Sequence, residues 1–141
     1  MSQYSKYIVK PFDWAERPLI HHHREVMNTL GPLMAFLNTD MVPEADLNVF
    51  VHYIDVKNPP GPDYVEIHAH EVSQAYVFPT PEMTFEVTLG DEVYIVETPA
   101  TVFIPPRLKH TVKIIRGAGF EVSIVRNEKY EQSLAEGETE A

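Results

Sequence analysis

The sequence predicts an all-β domain, a sandwich or barrel of short strands with a short N-terminal extension. Three observations point there. Apolar, β-branched and aromatic runs of strand length recur at spacings near ten residues, with turn signals between them. The 12 prolines fall at the ends of those runs, where proline stops a strand without removing a ladder hydrogen bond. Seven Tyr, seven Phe and one Trp are spread along the runs, as suits pleated, half-buried surfaces. With 141 residues, 44% of them hydrophobic, the chain has the size of one domain and enough apolar surface for a core, which excludes a disordered protein.

Residues 1–32 are expected to form an N-terminal arm. Its Tyr4, Tyr7, Ile8, Val9, Phe12 and Trp14 suit a strand, or a segment laid over the outside of the domain or across a second copy. His21, His22 and His23 are consecutive. Consecutive side chains cannot all face one ion in regular structure, so they read as a polar stretch. Residues 24–30 suit a helical turn stopped by Gly31-Pro32.

The β-domain is expected over 33–127. The apolar run 33–37 is ended by Asn38-Thr39-Asp40. Residues 47–56 alternate, with Val49, Val51, Tyr53 and Asp55 on one face and Phe50, His52, Ile54 and Val56 on the other. Lys57-Asn58-Pro59-Pro60-Gly61-Pro62-Asp63 is a loop. Strands follow at 64–70, 74–78 and 83–89, and a Gly90-Asp91 turn leads into 92–97 as a hairpin. Residues 101–105, 110–116 and 120–126 complete the set, with Gly117-Ala118-Gly119 as a turn. Residues 128–141 form an acidic tail, read as a solvated, frayed end.

The chemistry gathers in His68-Ala69-His70-Glu71-Val72-Ser73-Gln74. In a strand, side chains at i and i+2 leave the same face, so His68 and His70 point one way, with Tyr64 and Glu66 in line behind them. A third histidine, His110, opens a later strand after Pro105-Pro106-Arg107-Leu108-Lys109. An isolated His pair is more often a pair of hydrogen-bonded core histidines. Three imidazoles with the side-chain oxygen of Gln74 make a donor set for a divalent transition metal, with positions left open for water or substrate. Parity places His68, His70, Gln74, Tyr76, Phe78, Phe103, His110 and Val112 in the interior, a mostly apolar pocket with a polar floor. Each His must be neutral to bind metal and must donate its other ring N–H to a supporting acceptor. Glu71 alternates to the opposite face and is a poor ligand.

From Gly61 to about Val125 the chain resembles the cupin superfamily, as a single-domain member. The first cupin motif reads G(x)5HxH(x)3-4E(x)6G. Here Gly61, six residues, His68, Ala69, His70, three residues and Gln74 match it, with Gln in place of Glu and Pro79-Thr80-Pro81-Glu82 where the closing glycine would stand. The second reads G(x)5PxG(x)2H(x)3N. Pro105 and His110 keep its proline and histidine, while Pro99, Arg107 and Ile114 replace its glycines and asparagine. The resemblance implies a double-stranded β-helix, or jelly-roll barrel. It implies His68, His70, Gln74 and His110 as metal ligands, and an Fe, Zn, Mn or Ni ion. It also implies a homodimer, paired through sheet edges and the aromatic N-terminal arm.

Composition excludes other classes. The formal net charge is −10, and no Lys/Arg cluster offers the basic face a nucleic-acid binder needs. No apolar run reaches membrane-spanning length and no signal peptide is visible, so a cytoplasmic address is expected. With no cysteine there are no disulfides and no thiolate ligands.

Together these features lead to a metal-dependent enzyme acting on an oxygen-rich small molecule, dioxygenase-like if the ion is iron. With Zn, Mn or Ni the same site suits a cyclase, isomerase or lyase. Glu66 and Tyr76 are the candidates for proton transfer. Glu66 reads equally as a carboxylate paired with Arg107 or Arg116, and Tyr76 as pocket wall. Arg107 and Lys109, beside His110, suit the attraction of an acidic substrate or plain solvated loop charges. A cupin that binds a small ligand without turnover, or one whose His set is vestigial, stands as the alternative. The fold alone does not choose among these chemistries.

Overall fold

The structure is a computed structural model that describes residues 3–14, 30–56 and 67–126. The arm opens with a single turn of 3-10 helix, Ser5–Tyr7, and continues into β1 (Phe12–Asp13), which adds to a sheet edge. Of the helical turn expected over 24–30 only Leu30 is described, and it is helical. The remaining strands are β2 (Leu33–Leu37), β3 (Leu47–Asp55), β4 (Gln74–Phe78), β5 (Thr84–Leu89), β6 (Glu92–Glu97), β7 (Ala100–Ile104), β8 (His110–Arg116) and β9 (Ala118–Arg126). All pairs are antiparallel. One sheet runs β1-β2-β3-β9-β4-β7 and the other β6-β5-β8. The fold is all-β, with the jelly-roll layout expected from the sequence.

Local chemistry accounts for the turns. Gly90, at φ 63, supplies the left-handed residue that reverses β5 into β6. Gly117, at φ 106, is the whole connection from β8 to β9. A Cβ there would stand 2.8 Å from the Glu82 carbonyl oxygen and 3.0 Å from Met83 Cα, so no side chain fits. The expected three-residue turn is therefore shorter, and β9 begins at Ala118.

The core lies between the sheets. β3 alternates as expected, burying Asn48, Phe50, His52 and Ile54. β4 buries Gln74, Tyr76 and Phe78, and β5 and β8 answer with Phe85, Val87, Val112 and Ile114. Phe78 and Phe85 stack across the gap at 4.0 Å between ring centroids, and both are fully buried. Trp14, from the arm, is buried edge-on to Phe50 at 5.3 Å, so the arm contributes to the core. Burying side chains of this size stabilises by roughly 1.5–3 kcal/mol each relative to exposure.

Phe103 corrects the expected interior set. It is 62% exposed. The β4–β7 register pairs Gln74 with Ile104 and Tyr76 with Val102, which turns Val102 and Ile104 inward and Phe103 out. No helix among the described residues is long and apolar enough to cross a membrane.

Candidate metal centre

The three histidines come from two segments laid side by side. The expected strand 64–70 is described only from residue 67. There His68 and His70 sit in isolated bridges, with His68 paired to His110 at the start of β8. The pairing is closed by His110 N–H donating to the His68 carbonyl at 2.8 Å and by His68 N–H returning to the His110 carbonyl at 3.1 Å. It fixes one imidazole from each segment on the same interior face. His68 and His110 lie 4.6 Å apart between ring centroids, His68 and His70 5.0 Å, and His70 and His110 5.6 Å. One ring nitrogen from each lies within 4.8 Å of the others, and all three residues are buried. This group of three imidazoles could hold a metal ion.

The supporting contacts suit that task. His110 Nδ1–H donates to the Leu108 carbonyl oxygen at 3.0 Å, which leaves the Nε2 lone pair as the ring's ligand atom. His110 Nε2 is buried and makes no hydrogen bond among the described residues. Burial holds the His110 pKa below its usual range, against the opposing pull of the Leu108 carbonyl, so the ring is neutral near pH 7. An unpaired, buried, neutral imidazole nitrogen is costly unless something fills it.

Gln74 begins β4 on the interior face. Its Nε2 donates to Ser123 Oγ at 3.0 Å, and its Oε1 is buried with no hydrogen bond among the described residues. Tyr76, two residues on, has its ring 6.1 Å from His110, which sets this face of β4 against the histidines. The donors present, three imidazoles and one amide oxygen, match what a divalent transition metal accepts.

The loop before His110 is tied to the His68–His70 segment. Arg107 N–H donates to the His70 carbonyl at 2.6 Å, and the Arg107 guanidinium meets both Glu71 carboxylate oxygens at 2.7 Å. Arg107 sits at φ 69, a left-handed conformation that glycine adopts at no cost, at the position where the cupin motif carries glycine. Glu71 thus faces Arg107 and lies outside the histidine cluster. Glu66 and His21–His23 lie outside the described residues.

Sequence reasoning passed over one buried acid. Glu121 on β9 is 7% exposed, and burial pushes its carboxyl up to about 8. His52, opposite it in the β3–β9 register, is also buried, with Nε2–H donating to the Gly31 carbonyl at 3.1 Å.

No protein-family model matches the chain, and no curated protein matches it in sequence. Solved structures do share its architecture. A protein from Planctomyces limnophilus is 15% identical with a TM-score of 0.56, over 92% of this chain and 98% of that one. KdgF from a Halomonas species is 15% identical with a TM-score of 0.52, over 71% and 81%. The oxalate decarboxylase of Bacillus subtilis, a protein with Mn(II) centres, is 14% identical with a TM-score of 0.56, and the match covers 89% of this chain and 32% of that one. At such identities the likeness is one of fold, and the fold is that of the cupin superfamily.

Proposed function

We propose that this cupin-fold chain is a metal-dependent enzyme acting on an oxygen-rich small molecule, with His68, His70, Gln74 and His110 holding the ion. The convergence of three buried imidazoles on one interior face is the observation that carries the reading. Buried imidazoles need partners, and three whose ring nitrogens converge can take one ion in common.

A divalent ion held there would supply Lewis-acid polarisation of a substrate oxygen or, as iron, a place for O₂ beside a chelating substrate. The chain's own residues do the rest. Leu108 fixes the His110 tautomer through its carbonyl. Ser123 takes the Gln74 amide N–H and so orients its oxygen. Tyr76 walls the site beside His110, its hydroxyl the described candidate for moving a proton. Phe78, Phe85, Val87 and Val112 keep the interior apolar, which strengthens every polar contact made within it.

The donor set favours the Lewis-acid branch as a second reading. With Gln74 in the usual place of a glutamate, all four donors are neutral, and the ion keeps its full charge for the substrate. Elemental analysis of tag-free protein, wild type beside His70→Ala, is the test. About one iron per chain, lost in the variant, directs assays to O₂ consumption. Zinc, manganese or nickel lost in the variant directs them to cyclase, isomerase and lyase reactions. Equal metal in both proteins after reconstitution would sink the enzyme reading.

A further inference from the structure

The two sheets differ in what they turn away from the core. On β5 and β8 the outward positions are those of a solvated face, with Glu86 opposite Lys113 and Thr88 opposite Thr111. On the six-stranded sheet they are apolar. One row across β7, β4, β9 and β3 reads Phe103, Ala75, Ile124, Val49. The next, across β4, β9, β3 and β2, reads Val77, Val122, Val51, Met34. Phe120 and Tyr53, paired in the β3–β9 register, begin a third. Phe103 is 62% exposed, Phe120 39% and Tyr53 38%, and every other residue of these rows keeps part of its surface in solvent. Three rows over four or five strands cover roughly 400–500 Å² of sheet, as large as the biggest apolar patch a monomer ordinarily exposes.

We propose that this outer face docks a second copy of the chain, sheet on sheet, as a two-fold dimer. The proposal does not depend on the metal centre. Two such faces together approach about 1,000 Å², the size at which specific interfaces begin. Charge selects the occupant. The chain carries a net −10, so copies repel one another in general and can approach only through a face that is nearly neutral. Among the described strand residues, charge on this face is confined to Asp13 at the β1 edge and to Asp55 and Arg126. The last two stand at opposite ends of the β3–β9 ladder, whose middle pair is Val51 and Val122. A two-fold axis crossing the strands at that pair reverses the ladder end for end. Arg126 of each copy then comes beside the partner's Asp55, and the valines meet at the centre. The rival surface is the β6 edge, where Val93 and Ile95 are 60% and 62% exposed. Glu92 and Glu97 close its two ends, so a second β6 laid antiparallel about its middle would set acid against acid. The face, rather than the sheet edge expected from the sequence, is the self-complementary surface.

Sedimentation of the full chain over a roughly hundred-fold range of concentration, up to about 100 μM, tests this. Wild type should sediment at twice the chain mass. Val122→Glu, which brings two carboxylates together near the axis, should raise the dimer Kd at least about a hundred-fold. Arg126→Glu and Asp55→Arg should each raise it roughly three- to ten-fold, and the double exchange should regain what the single changes lose. Both of these residues are exposed at strand ends, so the exchange decides the matter even where Val122→Glu fails to fold. Val93→Lys, on the β6 edge, should leave the mass unchanged. A wild type that is monomeric throughout would give the face to some other occupant and overturn the proposal. A folded Val122→Glu that stays dimeric, a charge exchange that does not restore the dimer, or a Val93→Lys that turns monomeric would overturn it as well.

Discussion

Two groups of buried polar atoms occupy the same interior and differ in how many donors meet. At one end three imidazoles lie within 4.8 Å of one another by their ligand atoms, and Gln74 buries its side-chain oxygen on the interior face of β4. At the other, Glu121 presents one carboxyl opposite His52. Both are costly to bury. Converging neutral donors can be satisfied together by one ion, and their cost is then recovered on binding. A single carboxyl cannot recruit an ion that way, so it gives up its charge, which is why burial drives its pKa up to about 8. Convergence of neutral donors suits an ion, whereas a solitary acid answers burial by holding its proton.

The largest effect should come from breaking convergence. Structural zinc sites bind with about 10–16 kcal/mol across four ligands, so on that scale His110→Ala should weaken binding by roughly 2.5–4 kcal/mol, about a hundred- to a thousand-fold. Competition with a chelator measures this, and a fall under about ten-fold would mean His110 is not a ligand.

The next effect belongs to the solitary carboxyl. The folded chain keeps the Glu121 proton up to about pH 8, while the unfolded chain releases it near 4.5. Between those values the folded state binds more protons, so stability is highest at the acid end of this window and declines as pH rises. Between about pH 5 and pH 7 the decline should be roughly 2–3 kcal/mol, and Glu121→Gln should flatten it. Urea unfolding of both proteins across that range decides the matter, and parallel slopes would remove the buried acid from the account.

A smaller effect sharpens the contrast from the metal side. Gln74→Glu puts a negative donor among neutral ones and should tighten a divalent ion by roughly ten-fold, with the Ser123 hydroxyl turning to donate. Unchanged affinity in the same competition assay would place Gln74 outside the coordination sphere. The smallest effect is expected at the loop. Arg107→Gly removes an exposed ion pair worth about 0–1 kcal/mol and relieves a left-handed residue costing roughly the same, so stability should move by less than about 1 kcal/mol. A larger loss on thermal unfolding would make the Glu71 contact a structural tie.

Much of this is legible in the chain itself. The strands β2, β4, β6 and β8 fall on the expected residues, because proline, glycine and Asx residues bound β2, β6 and β8 on both sides and Pro79 ends β4. The three histidines can be grouped because strand parity and a short motif both place them on one face. Glu121 is hidden for a physical reason. On β9 the apolar set Phe120, Val122 and Ile124 alternates against Glu121, Ser123 and Val125, and hydrophobicity would turn the first set inward. The structure turns the second set in, since register with β4 pairs Ser123 with Tyr76 and Val125 with Gln74. Phe120 then packs outside on Tyr53 at 4.6 Å. Parity misplaces Phe103 on similar grounds, since a strand's facing is set by its neighbours when both of its faces carry apolar residues.

The most direct test of the metal centre is anomalous diffraction from crystals of Mn(II)-loaded protein. The account predicts one strong peak about 2.0–2.3 Å from a ring nitrogen each of His68, His70 and His110, with Gln74 Oε1 completing the shell. An interior without a peak, or a peak confined to His21–His23, would contradict it.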